Sequence, residues 1–232
     1  DGVICGDGQY TREVIKAGKQ GKLKVLSKYG VGLDRIDLVA AKEFDVKVTN
    51  VPGVNQVSVA EHVLALLFSF QKNIHLQYNS VQNKSWKRLT RNEIEGSTIG
   101  IIGLGSVGKE LAKKSLALGM IVYCFDLYKD EDFLSQFNDI VFTENINDIY
   151  ENSDVISLHI PHTSKTDKLI NKEVLFSRVK KNPIIINTSR GKLVDVESLI
   201  EAIEKKLIKG YLTDVLAEEP ITKEEKLLGY KN

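Results

Sequence analysis

The chain has 232 residues, of which 42% are apolar, a length and composition that suit one large or two modest globular domains. Its 32 lysines and arginines almost balance its 31 aspartates and glutamates, and the net charge of +1 leaves no basic field for nucleic acid. The longest apolar stretch, residues 57–70, is shorter than the ~20 residues that a membrane span requires. We therefore predict no nucleic-acid partner and no membrane insertion.

The first fifty residues alternate between short strand-like and helical segments. Residues 2–5, 23–26 and 46–49 have the apolar or alternating character of strands. A glycine-rich loop, residues 28–34, follows the second of them. This segment is therefore predicted to be a small α/β unit.

Residues 57–70 form the most apolar helix-like segment, and a helix of this kind is buried on several faces. It is interpreted either as a hinge between two domains or as an ordinary core helix. Ser58 and Glu61 have the spacing of a capping box, which predicts that the helix begins at Ser58. We assign residues 1–72 to a partial substrate domain with the hinge helix, and residues 73–232 to a nucleotide-binding domain.

A polar stretch, residues 71–96, contains the single tryptophan of the chain, Trp86, among basic side chains. An aromatic ring in such a stretch is buried either against a second subunit or against its own domain. The sequence does not decide between these two interpretations.

The most informative stretch is an apolar strand, residues 99–102, followed at once by Gly103, Gly105 and Gly108. Gly103 is expected to make the turn out of the strand, Gly105 to let backbone approach a pyrophosphate, and Gly108 to let a helix pack on the sheet. A helical pattern follows and is predicted to stop at Gly119. This order of strand, glycines and helix is the fingerprint of a dinucleotide-binding unit.

The start of that helix presents the free N–H groups of Ser106, Val107 and Gly108 to an anion at the positive end of the helix dipole. Asp126 ends the next apolar run, 18 residues after Gly108 (126 − 108), where the fingerprint has a carboxylate for the adenosine ribose. A carboxylate there repels a 2′-phosphate, so NAD is favoured over NADP, with Lys129 weakening the preference slightly. The alternative is a glycine turn with a surface aspartate, but it leaves the order of elements unexplained.

The rest of the chain keeps the rhythm of strand and helix, with the most apolar strand at residues 183–187. This alternation predicts a doubly wound parallel sheet of the Rossmann type, accompanied by the smaller α/β domain. Ligands bind beyond the carboxyl ends of such strands. The residues predicted there are Gly103–Gly108, Asp126, His159, Thr188–Arg190 and Asp214.

Several segments in one order carry a resemblance to the D-isomer-specific 2-hydroxyacid dehydrogenases. They read Tyr-Gly-Val-Gly-Leu-Asp at 29–34, Val-Ala-Glu-His at 59–62, Ser-Leu-His-Ile-Pro at 157–161, Asn-Thr-Ser-Arg-Gly at 187–191 and Asp-Val…Glu-Pro at 214–220. The resemblance implies two α/β domains beside a cleft and an NAD-dependent oxidoreductase acting on a D-2-hydroxy acid or a 2-oxo acid. Phosphoglycerate is the first candidate, because it is a common substrate in the family.

The resemblance also implies a role for individual residues. In the loop Gly30, Val31 and Gly32, backbone N–H groups would hold the substrate carboxylate. Arg190 would orient and polarise the 2-oxo acid, and Glu219 would pair with an acid–base histidine and keep its pKa high. The implied cofactor-binding residues are Gly103, Gly105, Ser106, Val107, Gly108, Asp126, His159, Ile160, Pro161, Thr188, Ser189, Arg190 and Asp214.

In the family the acid–base histidine follows the glutamate. Here only 13 residues follow Glu219 (232 − 219), and none is histidine. We therefore expect a chain cut at both ends, which binds NAD but does not turn over a 2-oxo acid. The histidines present, His62, His75, His159 and His162, are expected to be structural or exposed, and no metal site is predicted.

Other interpretations stay open at this point. Arg190 could merely pair with a carboxylate, and Glu219 could be a solvated loop residue. Glu219 argues against a formate dehydrogenase, because that relative carries Gln at this place. A different class of function is an NAD-sensing corepressor, since some members of the family have that role. The resemblance further implies a cytoplasmic homodimer formed through the cofactor domain, and the cysteines Cys5 and Cys124, which form no spacing motif, are read as reduced thiols.

Overall fold

The computed structural model describes residues 1–221 and 225–230, and the chain divides into two compact units, Asp1–Gln56 and Val57–Asn232. The sequence analysis drew the boundary at 72/73. The units divide earlier because the long apolar helix packs Ala60, Val63 and Leu67 into the core of the second unit. The roles of the two segments stay a prediction.

The first unit is a three-stranded parallel sheet with two helices. Its strands β1 (Gly2–Cys5), β2 (Val25–Lys28) and β3 (Lys47–Thr49) lie in the order β1-β2-β3. Helix α1 (Arg12–Gln20) is capped by the Thr11 side chain and α2 (Leu38–Glu43) by the Asp37 side chain. Each cap accepts a hydrogen bond from a backbone N–H of the first turn, which fixes where the helix begins.

The second unit contains a six-stranded, wholly parallel sheet in the order β6-β5-β4-β7-β8-β9. Its strands are β4 (Thr98–Ile102), β5 (Ile121–Phe125), β6 (Ile140–Thr143), β7 (Val155–Leu158), β8 (Ile184–Asn187) and β9 (Gly210–Thr213). Every residue of β4, β7 and β8 is buried, as expected for parallel strands covered by helices on both faces. The predicted doubly wound sheet is confirmed.

Helices and helical turns lie before, between and after the strands of this sheet along the chain. They are α3 (Gln56–Gln71), α4 (Ile74–Gln82), α5 (Ser106–Ala117), α6 (Glu131–Leu134), α7 (Ile146–Asn152) and α8 (Val196–Glu204), with a π-helical turn at Val174–Arg178 and 3-10 turns at Gly191–Leu193 and Lys226–Gly229. In the described part of the chain, no helix is both long and apolar enough to cross a membrane.

The predicted helix ends are right in one case and wrong in another. Gly119 has φ +74° just after α5, so the predicted stop is confirmed. The predicted start of α3 at Ser58 is wrong, because the helix already begins at Gln56 and Ser58 lies inside its first turn. A turn with Gly53 at φ +75° precedes the helix.

The strand order reverses at β4, which pairs with β5 on one side and with β7 on the other. The connections after β4 and after β7 therefore run to opposite sides and leave a crevice at the carboxyl ends of these strands. The loops after β4, β5, β7 and β8 carry most of the residues singled out from the sequence.

Candidate active site at the carboxyl end of the sheet

The three glycines after β4 meet different surroundings. Gly103 has φ +102°, and a Cβ added to it would lie 2.5 Å from the His159 carbonyl oxygen. A Cβ on Gly108 would lie 2.0 Å from the Gly103 oxygen, whereas a Cβ on Gly105 would meet nothing within 4 Å. Packing of the protein itself thus requires Gly103 and Gly108, while Gly105 borders open space.

A cavity of about 570 Å³ lies beside Gly105. Its lining residues are Leu104, Gly105, Lys109, Asp126, Tyr128, Lys129, Asp130, Glu131 and Asp132. Helix α5 begins at Ser106, directly after Gly105, so the free N–H groups of its first turn are at this end. The cavity suits a dinucleotide. Gly105 and the positive end of α5 fit a pyrophosphate, and the Asp126 carboxylate fits the ribose of the adenosine.

Asp126 directly follows β5 and reaches the glycine loop. Its Oδ2 accepts a hydrogen bond of 2.6 Å from the Leu104 N–H, and its Oδ1 accepts one of 3.2 Å from the Tyr128 N–H. This carboxylate is predicted from its spacing to bind a ribose. The structure adds a second task, because the same carboxylate ties the end of β5 to the loop after β4.

Two ion pairs lie at the same cavity. Lys109, in the first turn of α5, pairs with Asp130, and Lys129 pairs with Glu131 at 2.8 Å. The sequence analysis named only Lys129. Asp130 could have been recognised as the N-cap of α6, since its Oδ1 accepts from the Phe133 N–H, but its pairing with Lys109 depends on tertiary structure.

The loops after β7 and β8 are joined to the glycine loop. The Ile160 side chain and the His159 carbonyl lie against Gly103, and the Ser189 hydroxyl donates a 2.6 Å hydrogen bond to the Ile160 oxygen. The Pro161 carbonyl accepts from the Thr166 hydroxyl at 2.8 Å, which closes the β7 loop on itself. His159, Ile160 and Ser189 are therefore brought together around Gly103.

The His159 ring is fixed inside this group. Its Nε2 lies 2.8 Å from the Ser157 hydroxyl, and burial lowers the pKa of the ring to about 4. The ring is therefore neutral near pH 7 and supplies no proton, which agrees with a structural role. His162 instead pairs with Asp167 at 2.8 Å, and the described residues contain no cluster of three ligands suitable for a metal.

The segment after β8 is ordered by the buried Asn187 side chain. Its Nδ2 donates to the Arg190 carbonyl at 2.9 Å, and its Oδ1 accepts from the Ser189 N–H at 3.0 Å. The Arg190 guanidinium donates to the Ser189 oxygen at 2.8 Å. The Thr188 hydroxyl is buried and, among the described residues, makes no hydrogen bond.

Asp214 and Glu219 follow β9 and are both exposed. Asp214 Oδ2 lies 3.4 Å from Nε2 of His62 on α3, a pair that sequence reasoning missed because the two positions are remote in the chain. Glu219 Oε1 accepts a 3.1 Å hydrogen bond from the Leu216 N–H. Its pairing with a histidine stays a prediction.

The glycine loop of the first unit is anchored through its carbonyl groups. The Gly30 oxygen accepts from the Val51 N–H at 3.0 Å, and the Val31 oxygen accepts from the Asn50 side chain at 2.7 Å. Gly30 has φ +138°, a conformation that favours glycine. Within residues 1–221 and 225–230, the N–H groups of Gly30, Val31 and Gly32 donate to no backbone carbonyl.

Comparison with known proteins identifies a family. Residues 64–232 match the model described as "D-isomer specific 2-hydroxyacid dehydrogenase, NAD binding domain". The chain is 36% identical over 220 residues to D-3-phosphoglycerate dehydrogenase of Methanocaldococcus jannaschii, covering 94% of this chain and 41% of that relative. It is 37% identical over 234 residues to hydroxypyruvate reductase of Thermotoga maritima, covering 99% of this chain and 74% of that relative.

Solved structures agree with this match. D-lactate dehydrogenase with NAD+ from Lactobacillus jensenii superposes with a TM-score of 0.76 at 28% identity, covering 94% of this chain and 66% of that one. The chain spans about two fifths of the length of the first phosphoglycerate dehydrogenases that it matches.

Proposed function

Because the chain belongs to the family of D-isomer specific 2-hydroxyacid dehydrogenases, whose NAD-binding domain it contains, we propose that the protein is an NAD-dependent oxidoreductase of D-2-hydroxy acids and 2-oxo acids. The observation that carries this proposal is the convergence of the loops after β4, β7 and β8 around Gly103, beside the cavity that Gly105 leaves open. NAD supplies the hydride chemistry. The chain's own residues bind the cofactor, orient the substrate and polarise its 2-oxo group.

The cofactor site that we propose extends along the carboxyl ends of the strands. The first turn of α5, with Ser106 and Val107, would hold the pyrophosphate, and Asp126 the adenosine ribose. Thr188 would meet the nicotinamide half, which is supported by its place directly after β8 and next to Ser189, whose hydroxyl joins the loop after β7. The other residues proposed to line this half are His159, Ile160, Pro161, Ser189, Arg190 and Asp214.

Arg190 is proposed to bind and polarise the 2-oxo acid. A guanidinium offers a planar fork of donors that matches a carboxylate or a carboxylate with a neighbouring carbonyl. Support comes from the Asn187 side chain, which holds the backbone on both sides of Arg190 and so limits its movement. In the first unit, the N–H groups of Gly30, Val31 and Gly32 are proposed to bind the substrate carboxylate.

Glu219 is proposed to stabilise the protonated form of an acid–base histidine. A carboxylate next to an imidazolium raises the pKa of the histidine, which suits a group that must donate a proton to a carbonyl oxygen. In the described part of the chain, Glu219 is held by the Leu216 N–H.

The substrate that we propose first is 3-phosphoglycerate and its 2-oxo counterpart. Support comes from relatives named D-3-phosphoglycerate dehydrogenase at 34–37% identity. A hydroxypyruvate reductase also lies in this range, so small unphosphorylated 2-oxo acids belong in the same panel of test substrates.

The protein is further proposed to be a cytoplasmic homodimer. Three apolar side chains on one face of α4, Ile74, Tyr78 and Val81, are exposed, and Trp86 beyond the helix is 84% exposed. A second copy of the chain would cover them. The cytoplasmic location is supported by two buried cysteines, Cys5 and Cys124, that form no disulfide.

The experiment follows oxidation of NADH with a panel of 2-oxo acids, phosphorylated and unphosphorylated, by the uncut chain that carries the acid–base histidine expected after Glu219. We expect Arg190→Ala to lower kcat/KM by about 100-fold or more, and to lower NADH affinity much less, because the guanidinium binds the substrate and only borders the nicotinamide half of the cofactor. Arg178→Ala is the matched control, since Arg178 is a surface arginine paired with Glu173. A fall in NADH affinity as large as the fall in kcat/KM would contradict the assignment of Arg190 to the substrate. Tight NADH binding by the unchanged protein with no turnover of any acid would favour an NAD-sensing binding protein.

A further inference from the structure

The cavity beside Gly105 is lined by four carboxylate residues and two lysines. The carboxylates are Asp126, Asp130, Glu131 and Asp132, and the lysines are Lys109 and Lys129. Both lysines are paired with carboxylates of the same cavity, Lys109 with Asp130 and Lys129 with Glu131. A phosphate group that enters this cavity therefore meets two lysines that are each already paired with a carboxylate.

Lys109 is placed where a free ammonium group would bind a phosphate. It lies in the first turn of α5, where its N–H donates to the Gly105 oxygen at 3.0 Å. Its side chain lines the same cavity as Asp126. The positive end of the helix and a lysine at this place would both attract an anion.

Asp130 pairs with Lys109 and also caps α6. Its Oδ2 accepts from the Lys109 ammonium group, while its Oδ1 accepts from the Phe133 N–H at 2.9 Å and caps α6. The Lys109 ammonium group also lies 5.4 Å from the centroid of the Phe133 ring, which is almost fully buried. The Lys109 hydrogen bond, followed by the Phe133 N–H, lowers the pKa of Asp130, so the carboxylate stays ionised near neutral pH.

We propose that Asp130 is a second determinant of cofactor choice in this protein, acting by withholding Lys109 from the 2′-phosphate that distinguishes NADP from NAD. This inference rests on the proposed function, because it presumes that the adenosine of NAD occupies this cavity. Asp126 repels the 2′-phosphate directly, while Asp130 removes the cation that would attract it. Asp130 is thus a positioning residue that acts through Lys109.

The proposal predicts that Asp126 alone does not account for the exclusion of NADP. Replacing Asp130 by Asn removes one negative charge and frees Lys109, while Asn still caps α6 as well as Asp does. We expect Asp130→Asn to strengthen NADPH binding about tenfold, because a new charge-assisted hydrogen bond forms to the phosphate. NADH affinity should change by less than about threefold, since the 2′-hydroxyl of NADH is uncharged.

The test measures the dissociation constants of NADH and NADPH separately, from the fluorescence of the reduced nicotinamide, so that it reports binding and not turnover. Three variants carry single substitutions, Asp130→Asn, Asp132→Asn and Asp126→Asn. A fourth combines Lys109→Met with Asp130→Asn. Asp132→Asn is the matched control, because Asp132 lines the same cavity and carries the same charge, and no ion pair joins it to a lysine among the described residues. Thermal melts of each variant check that it is folded.

The outcomes separate the explanations. A gain in NADPH affinity with Asp130→Asn that is absent in Asp132→Asn, and is lost again when Lys109→Met is added, supports the proposal. Equal gains in Asp130→Asn and Asp132→Asn show an effect of net charge alone and overturn it, as does a gain that persists without Lys109. If the unchanged protein binds neither cofactor, the proposed function itself fails, and the NADH arm identifies that case.

Discussion

At the scale of single residues, the site contains side chains with two tasks. Asp126 is predicted from its spacing to bind the adenosine ribose, and its carboxylate also accepts a hydrogen bond from the Leu104 N–H of the glycine loop. The Asn187 side chain binds the Ser189 N–H and the Arg190 carbonyl, and so orders the backbone around Arg190. Such contacts depend on which loops lie side by side, so a sequence pattern identifies the residue without giving its partners.

His159 gives a prediction about stability. Its pKa falls from the ordinary 6.5 to about 4 on folding because the ring is buried, so the unfolded chain takes up the proton first as the pH falls. Stability is therefore fully present above about pH 6.5 and declines toward pH 4, by about 3 kcal/mol from this group.

Replacing His159 by Gln should remove that part of the pH dependence. Urea unfolding at several values between pH 4.5 and pH 7 measures it, and His75→Gln is the control because His75 is exposed. Should the two variants lose stability with falling pH to the same extent, the neutral, buried state of His159 would be refuted.

At the scale of elements, the unit of β4, α5 and β5 was predicted, including the turn at Gly103, the close packing at Gly108 and the stop at Gly119. The role of Gly105 at a pyrophosphate stays a prediction. The local pattern suffices there because strand, turn and helix follow one another in the chain. The start of α3 was not predictable from Ser58 and Glu61, since a capping box is only one of several ways to begin a helix. The His62–Asp214 and Lys109–Asp130 pairs escaped prediction because tertiary packing creates them.

The glycines after β4 give a matched pair of variants. Gly108→Ala places a Cβ 2.0 Å from the Gly103 oxygen, so we expect it to lower the free energy of unfolding by about 2 kcal/mol or more. Gly105→Ala meets nothing within 4 Å in the protein, so we expect a loss of about 1 kcal/mol or less, mostly from the weaker N-cap, together with a large loss of NADH affinity.

Urea unfolding and NADH titration of both variants measure the two effects separately. Normal NADH affinity in Gly105→Ala would mean that the pyrophosphate of the cofactor does not lie close to Gly105. A fully stable Gly108→Ala would contradict the close contact between α5 and the turn after β4.

At the scale of the whole molecule, the α4 face and Trp86 give a prediction about assembly. We expect the unchanged protein to sediment as a dimer and Trp86→Ala to shift it toward monomer, because truncating a large aromatic anchor at an interface costs about 2 kcal/mol or more. Tyr29→Ala is the control, since Tyr29 is similarly exposed but lies in the first unit. A monomeric unchanged protein at micromolar concentration would rule the homodimer out.

The account as a whole depends on a dinucleotide bound across the crevice where the strand order reverses. The most direct measurement is calorimetric titration of NADH into this 232-residue chain, with ADP-ribose as competitor. We expect saturable heat of binding, and its reduction when ADP-ribose occupies the adenosine and pyrophosphate sites. No heat above dilution, or binding that ADP-ribose leaves unchanged, would contradict the account.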